Sequence, residues 1–339
     1  MLTGNSITVH EVAARAGVSI ATVSRVTHGK PVRPGVRERV LAAMSELNYS
    51  PNFAARALRT NSTKTIGCVF RGLLLPEMAP FVRAAEEVFR DAGYTILLSG
   101  TEEDAEKQRQ LLLTLTSRGV DGILLTAATD RQELIQPVLA QSGVPVVLID
   151  RDAPLVADMV TVDHGTGIRA AVDYLVSLGH HKIALLSVSE KLRPGRERIA
   201  AFREAVQHHG IDTEPRLVLE GCENNDRAFQ NASALFTSSH RPTAVICGGM
   251  AVLPLVLRAA KLHRLRVPDD ISIIAGCDSE LAELTVPAIT TVRWDIAEWG
   301  RLSAQLLLDR LKNGQAHETQ HLVVPTELVV RSSCAAPPR

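Results

Sequence analysis

The sequence predicts a chain in three parts. An N-terminal all-α helix-turn-helix head leads to an α/β body of two doubly wound parallel-sheet lobes. Three observations carry that expectation. Residues 8–60 hold short helical segments, each with its own start and stop signals. From residue 64 onward apolar strands alternate with amphipathic helices, and the rhythm runs through twice. At 339 residues the chain is also too long for one ordinary domain.

The head begins with Thr8 three residues ahead of Glu11, the spacing of a capping box that satisfies orphan amides at a helix start. Val12, Ala13 and Ala16 then share one face, and Gly17 supplies a stop where a left-handed residue is needed. Ser19 can cap a second short helix over 20–26, and so tight a junction fits a helix-turn-helix. A third helix follows Arg33-Pro34, with Val36, Val40, Ala43, Met44 and Leu47 as its apolar stripe and Arg37 and Arg39 outside. The head region spans 1–62 and the body 63–339.

In the body, strands are expected at 66–70, 95–99, 122–126, 145–150 and 159–163, with helices at 79–92, 105–118 and 131–141. The second round places helices at 165–178, 196–209, 226–237 and 251–262. Its strands fall at 182–187, 216–220, 243–247, 271–276 and 289–292. Ligands of such open sheets sit beyond the carboxyl ends of the strands, which here means a cleft between two lobes.

Hydrophobic residues at 45% and charged ones at 22% describe a water-soluble globular protein. No apolar run approaches the roughly 18 residues that span a bilayer, and residues 1–7 lack the pattern of a secretory signal. The cytoplasm is therefore the expected compartment, with no membrane partner. Net charge is zero, but its distribution is uneven. Residues 1–65 carry nine Lys/Arg against three Glu, a balance of +6, which leaves −6 on the remainder. A basic head on an acidic body concentrates attraction for phosphate at the helix-turn-helix. The cysteines Cys68, Cys222, Cys247, Cys277 and Cys334 are scattered and odd in number, so reduced buried thiols are expected.

Two stretches, "VAARAGVSIATVSRV" and "LNYSPNFAARAL", together resemble the DNA-binding region of the lactose/galactose repressor (LacI/GalR) family. The likeness continues through "LVSLGHHKIALLS", "RVPDDISIIAGCDS" and "PAITTVRWDIAEWGRLSAQLLLDRL" to about residue 331. It implies a periplasmic-binding-protein-like sensor whose chain crosses between lobes near 163, 292 and 322. Lobe 1 is then 63–163 with 293–322, and lobe 2 is 164–292 with 323–332. The short tail lacks heptads, so no tetramerising coiled coil is expected.

The resemblance implies a homodimeric transcriptional repressor on a palindromic operator, allosterically controlled by a small-molecule effector. The second helix would lie in the major groove. Its base-reading positions fall on Ile20 and Ala21, with Thr22, Ser24 and Arg25 beside them. Ile20 and Ala21 can only pack on thymine methyls or exclude bases by shape, so Arg25 is the expected polar base contact. The alternative is that Ile20 and Ala21 fill the core of the helix pair. Ser19, Thr22, His28 and Asn52 suit phosphate or sugar contacts. The resemblance also implies an all-α hinge helix over about residues 51–60, which includes Ala55; in it Leu58 matches the family's minor-groove wedge and Arg59 follows it. The alternative for Leu58 is an ordinary apolar linker residue.

For the effector, Asp150, Arg198 and Asp278 match positions that hold sugar hydroxyls in the family, and a carboxylate or planar guanidinium suits a polyol. The alternative for each is an ordinary strand-end salt bridge. Arg151 and Ser187 or Ser189 are secondary candidates, with solvated loop residues as the equal alternative. Two departures bear on the ligand: Gly249-Met250 stands where many members carry Asn-Asp, and Leu75-Pro76-Glu77-Met78 replaces Asn-Pro-Phe-Phe. Leu75, Glu77, Met78 and Gly249 therefore join the expected pocket, which has lost an amide and aromatic walls. A small sugar or sugar acid is the expected effector, with no cofactor.

Other readings carry less. Gly165-Thr166-Gly167-Ile168-Arg169-Ala170 mimics a dinucleotide fingerprint, but the next strand ends in Ser187, not an acid, which argues against an NAD-dependent enzyme. His180-His181 and His208-His209 lack metal-ligand spacing, so no metal is expected. A transcriptional activator, or a co-repressor-dependent regulator, would share the same sequence features, since that distinction depends on operator position.

Overall fold

The computed structural model describes residues 7–27, 29–49, 62–73, 75, 78–102, 104–128, 136–152, 157–211, 214–222, 224–314 and 318–338. Two units emerge from it, Met1–Thr63 and Lys64–Arg339.

In the first unit, helices α1 (Val9–Ala16), α2 (Ile20–Thr27) and α3 (Val36–Glu46) enclose a small core of Val12, Ala13, Ala16, Val23, Val26, Val40 and Ala43. The Glu11 carboxylate accepts from the Thr8 amide at 2.6 Å and the Thr8 hydroxyl at 2.9 Å. Gly17 takes φ 63°, the left-handed geometry that ends α1 without a Cβ penalty. Ser19 Oγ accepts from the Thr22 amide at 3.2 Å and so starts α2. An ion pair between Arg15 and Glu46 joins α1 to α3.

The second unit carries two six-stranded sheets. The first comprises β1 (Thr65–Phe70), β2 (Thr95–Gly100), β3 (Gly122–Leu125), β4 (Val146–Ile149), β5 (Asp158–Val162) and β11 (His321–Val324) in the order β11-β5-β4-β3-β1-β2, all parallel. The second comprises β6 (Ile183–Ser187), β7 (Val218–Leu219), β8 (Ala244–Gly248), β9 (Ser272–Ala275), β10 (Thr290–Arg293) and β12 (Glu327–Val329) in the order β12-β10-β9-β8-β6-β7. Only the edge strand β12 runs antiparallel to its neighbour among these pairs. The helices are α4 (Met78–Asp91), α5 (Ala105–Ser117), α6 (Gln136–Ser142), α7 (His164–Ser177), α8 (Arg193–His208), α9 (Asn225–Thr237), α10 (Val252–Leu262), α11 (Glu280–Leu284) and α12 (Ile296–Asn313). Each sheet is covered on both faces, which explains why its inner strands are apolar throughout rather than alternating.

Several differences from the sequence reading affect the cleft. Helix α8 starts at Arg193, a turn earlier than expected, because Pro194 lies in its first turn, where a missing N–H costs nothing. Helix α12 is an added element, capped by Asp295, whose carboxylate accepts from the Glu298 amide at 2.7 Å. It lies against α4 through an edge-to-face chain of Phe70, Phe81 and Trp299, with ring centroids 5.4 and 5.0 Å apart. Strand β11 runs to Val324, so the last passage between sheets falls at Pro325-Thr326 and not at 322. The predicted strand at 216–220 shrinks to Val218–Leu219 after a single 3₁₀ turn.

The chain passes between the sheets after β5, after β10 and after β11. These passages converge. The Thr326 hydroxyl donates to the Asp163 carbonyl at 2.7 Å. A Cβ on Gly167 would stand 2.3 Å from Val292 Cγ1 and 3.0 Å from Thr326 Oγ1, so only glycine lets α7 lie against both other passages. Gly167, in the stretch that mimics a nucleotide fingerprint, is thus a packing residue. Beyond β12, Ser333 is fully buried and its hydroxyl donates to the Ile273 carbonyl at 2.6 Å, tying the tail to the second sheet. All five cysteines are free, and burial pushes the Cys68 thiol up to about 12. Among the described residues no helix is long and apolar enough to cross a membrane, and no cluster of three or more His, Cys, Asp or Glu could hold a metal ion.

Candidate nucleic-acid interface and effector cleft

Helix α2 is held by Val23 and Val26, both buried, and turns the rest of its surface outward. Ile20 is 40% exposed, and Ala21 and Arg25 are exposed with it. The alternative in which Ile20 and Ala21 fill the core therefore fails. An isoleucine and an alanine presented to solvent beside a guanidinium form a surface able to pack on a thymine methyl and hydrogen-bond a base edge. Ser19 and Thr22 are joined hydroxyl to hydroxyl at 2.9 Å, and Ser24 is half-buried. His28, Asn52, Ala55, Leu58 and Arg59 lie outside the described residues.

The cleft side is built from strand ends. Asp150 follows β4 with φ 51°, a left-handed conformation unusual for a side chain other than glycine. That geometry directs its carboxylate at three donors. Oδ1 accepts from Arg193 Nη1 at 2.8 Å and from the Val162 amide at 3.3 Å, and Oδ2 lies 2.9 Å from His164 Nε2. Arg198 Nη2 lies 3.1 Å from the other imidazole nitrogen, Nδ1. A guanidinium only donates, so Nδ1 accepts and Nε2 carries the proton given to Asp150. Burial, helped by the Arg198 charge, pushes the His164 pKa down to about 4 despite the neighbouring carboxylate. Burial works to raise Asp150, but the His164 hydrogen bond and the charges of Arg193 and Arg151 overcome it and hold the carboxyl well below its usual range.

Arg193 belongs to α8 on one lobe and Asp150 to the other, so this ion pair latches the lobes together. Arg193 also pairs with Glu197 one turn on, and Arg196 reaches Asp152 at 2.5 Å. The remaining polar groups are held by backbone. Arg151 donates to the Ala127 and Asp150 carbonyls, both at 2.7 Å, and Arg198 Nη1 donates to the Gly248 carbonyl at 3.0 Å. Trp294 stands edge-on to His164, with ring centroids 5.7 Å apart.

Next to this network is a cavity of about 60 Å³ lined from both lobes, with Leu75, Met78, Asp150, Arg151, Arg198 and Gly249 in its wall. Six of the nine residues expected around the effector thus meet there. Three do not. Glu77 lies outside the described residues. Ser187 is fully buried below the wall, its hydroxyl 3.5 Å from the Gly248 carbonyl. Asp278 is drawn away by Arg331, which grips both its oxygens at 2.8 and 2.9 Å, and it faces a separate hollow of about 790 Å³. The salt-bridge alternative describes Asp278 best. It also describes Asp150, whose carboxylate is spent on holding the lobes rather than offered to a ligand.

Sequence reasoning missed His164, Arg193, Trp294 and Arg71, all at or against the cavity. Arg193 falls just ahead of the helix that the sequence pattern marks from 196. His164 and Trp294 sit at passages between lobes, where no periodicity marks a side chain.

Comparison with known proteins places this architecture. Residues 8–52 match the model of bacterial regulatory proteins of the lacI family, and residues 172–334 match a periplasmic binding protein-like domain. The HTH-type transcriptional repressor PurR of Photobacterium profundum is 32% identical over 329 residues, covering 96% of this chain and 98% of PurR. The chain belongs to the LacI family. The HTH-type transcriptional regulator DegA of Bacillus subtilis (strain 168) is 30% identical, covering 96% of this chain and 97% of DegA. Among solved structures, a Lac repressor dimer bound to operator and the anti-inducer ONPF aligns with TM-score 0.84 at 28% identity, over 98% of this chain and all of that one. A complex of the regulator CelR with cellobiose aligns with TM-score 0.74 at 30% identity, over 96% of this chain and 99% of that one. This LacI-family chain is accordingly a DNA-binding transcriptional regulator with an effector-binding domain.

Proposed function

We propose that this regulator represses a carbohydrate or sugar-acid catabolic operon as a homodimer on a palindromic operator, and that a small metabolite in the interlobe cavity controls it. Ile20, Ala21 and Arg25 read the major groove, Ser19, Thr22, Ser24, His28 and Asn52 support them, and the hinge residues Ala55, Leu58 and Arg59 enter or flank the minor groove. Leu75, Met78, Arg151, Arg198 and Gly249 receive the effector, with Glu77, next to Met78 in the sequence, as a further candidate. The observation that carries this reading is the cavity itself. It is walled by both lobes and sits against the Arg193–Asp150 latch, so filling it changes the relative stability of open and closed lobes. Coupling of this kind amounts to about 1–3 kcal/mol.

The test is selection of bound duplexes from a random library by the purified full-length protein. An inverted-repeat motif is expected, and Leu58→Ala should weaken binding to it far more than to random duplex. Enrichment of no inverted repeat, or equal loss on both duplexes, would overturn the reading.

A further inference from the structure

The chain has two tryptophans, both line the interlobe cavity, and their indole N–H groups have opposite fates. Trp299 donates to the Val160 carbonyl at 3.3 Å, and its ring closes the edge-to-face chain with Phe81. Its polar atom is committed inside the protein, so its role is structural. Trp294, 8% exposed, has an indole N–H with no hydrogen-bond partner among the described residues. The imidazole beside it, with ring centroids 5.7 Å apart, cannot serve, because its two nitrogens already meet Asp150 and Arg198. A buried donor left without an acceptor is costly, and one on a residue that walls a cavity is satisfied by what enters it.

The surroundings of that donor narrow what it can meet. Trp294 belongs to an apolar cluster with Met78 and Trp299, and Leu75 and Met250 pack against the same cluster. All four of these neighbours also line the cavity, so this corner of the wall is one polar handle set in carbon and thioether. A hydroxyl placed there would accept from the indole but leave its own proton facing apolar side chains. An ether, carbonyl or carboxylate oxygen only accepts and leaves nothing unmet. Resting on the cleft reading above, we infer that Trp294 is a specificity-determining residue of the effector site. Its N–H donates to an accept-only oxygen of the ligand: the ring or carbonyl oxygen of a sugar, or the carboxylate of a sugar acid. Trp294 also lies in the passage between β10 and α12, so the same bond ties the ligand to a segment that joins the lobes.

The experiment combines thermal shift with indole N–H NMR of the full-length protein carrying isotope-labelled tryptophan. Two tryptophans give two indole signals, and Trp299→Phe assigns them. The probes are matched pairs, D-xylose with xylitol, D-galactose with galactitol and D-gluconate with D-glucitol, each to tens of millimolar at equal ionic strength. At least one sugar or sugar acid should raise the melting temperature by several degrees and move the Trp294 indole proton downfield. The Trp299 signal should stay in place, and the alditol partner should do neither. Trp294→Phe should weaken the active ligand about tenfold. A benzothienyl side chain at position 294, which puts sulfur where the N–H stands and keeps the shape, should weaken it equally and serves if the phenylalanine variant fails to fold. A melting shift with an unmoved Trp294 signal, or with unchanged affinity in the variants, would overturn the assignment and leave the cleft reading standing. An alditol as active as its partner would overturn the accept-only oxygen. Silence across the whole panel would overturn the assignment together with the sugar reading of the cleft. Selection of an inverted repeat is a separate readout, so the regulator can stand in every case.

Discussion

The reading helix and the effector cleft place their chemistry in opposite ways. On α2 the functional side chains stand outside a small apolar core, and Ile20 and Arg25 owe nothing to other elements. In the cleft the polar groups are buried and interlocked, and four of them, Asp150, His164, Arg193 and Arg198, come from three places in the chain. A surface that must meet a changing partner is kept free of internal commitments. A cleft walled by two lobes uses its charges on itself, to hold those lobes together.

That contrast yields four expectations, from largest to smallest. Asp150→Ala strands Arg193 and His164 without their carboxylate, and chemical denaturation should show a loss of about 3–5 kcal/mol. Acid should act through His164. Its folded pKa of about 4 lies below the ordinary 6.5, so the unfolded chain takes up a proton that the folded chain refuses. Stability is fully present above pH 6.5 and falls as pH drops toward 4, by up to about 3 kcal/mol. His164→Gln, which keeps one donor and one acceptor, should flatten a melting-temperature profile across that window. In the head, Arg25→Ala should relax preference at one base position per half-site by about 1–3 kcal/mol, read from selected duplexes. Ile20→Ala should change stability by no more than about 0.5 kcal/mol yet still alter operator preference. A large stability loss there would make Ile20 a core residue after all and erase the distinction between the two regions.

How far each region was legible in the sequence follows the same division. The head could be read closely because its signals are local: Thr8 with Glu11, the stop at Gly17 and the cap at Ser19 lie within a turn or two of what they control. The sheets were legible too, since apolar strands alternating with amphipathic helices announce a parallel fold. The cleft was not, because its chemistry depends on separations far along the chain. Asp150 reads as an available carboxylate until Arg193 arrives from 43 residues away. Asp278 reads the same way until Arg331, 53 residues on, closes over it. Arg198 and Gly249 were placed at the cavity only through resemblance, and nothing in the local sequence around Trp294 marks its indole as unpartnered.

The stapling of Thr326 to Asp163, with Gly167 seated against Val292 and Thr326, also settles what kinematics the lobes are allowed. Passages bound together at one spot act as an axle: the two halves can swing about it but can hardly slide past one another. Displacement then grows with distance from that spot. Groups beside it, Trp294 and His164, reorient while travelling little, and the far rim sweeps the longest arc. A ligand seated near the axle thereby works through a long lever, its few contacts magnified at the edges of the molecule.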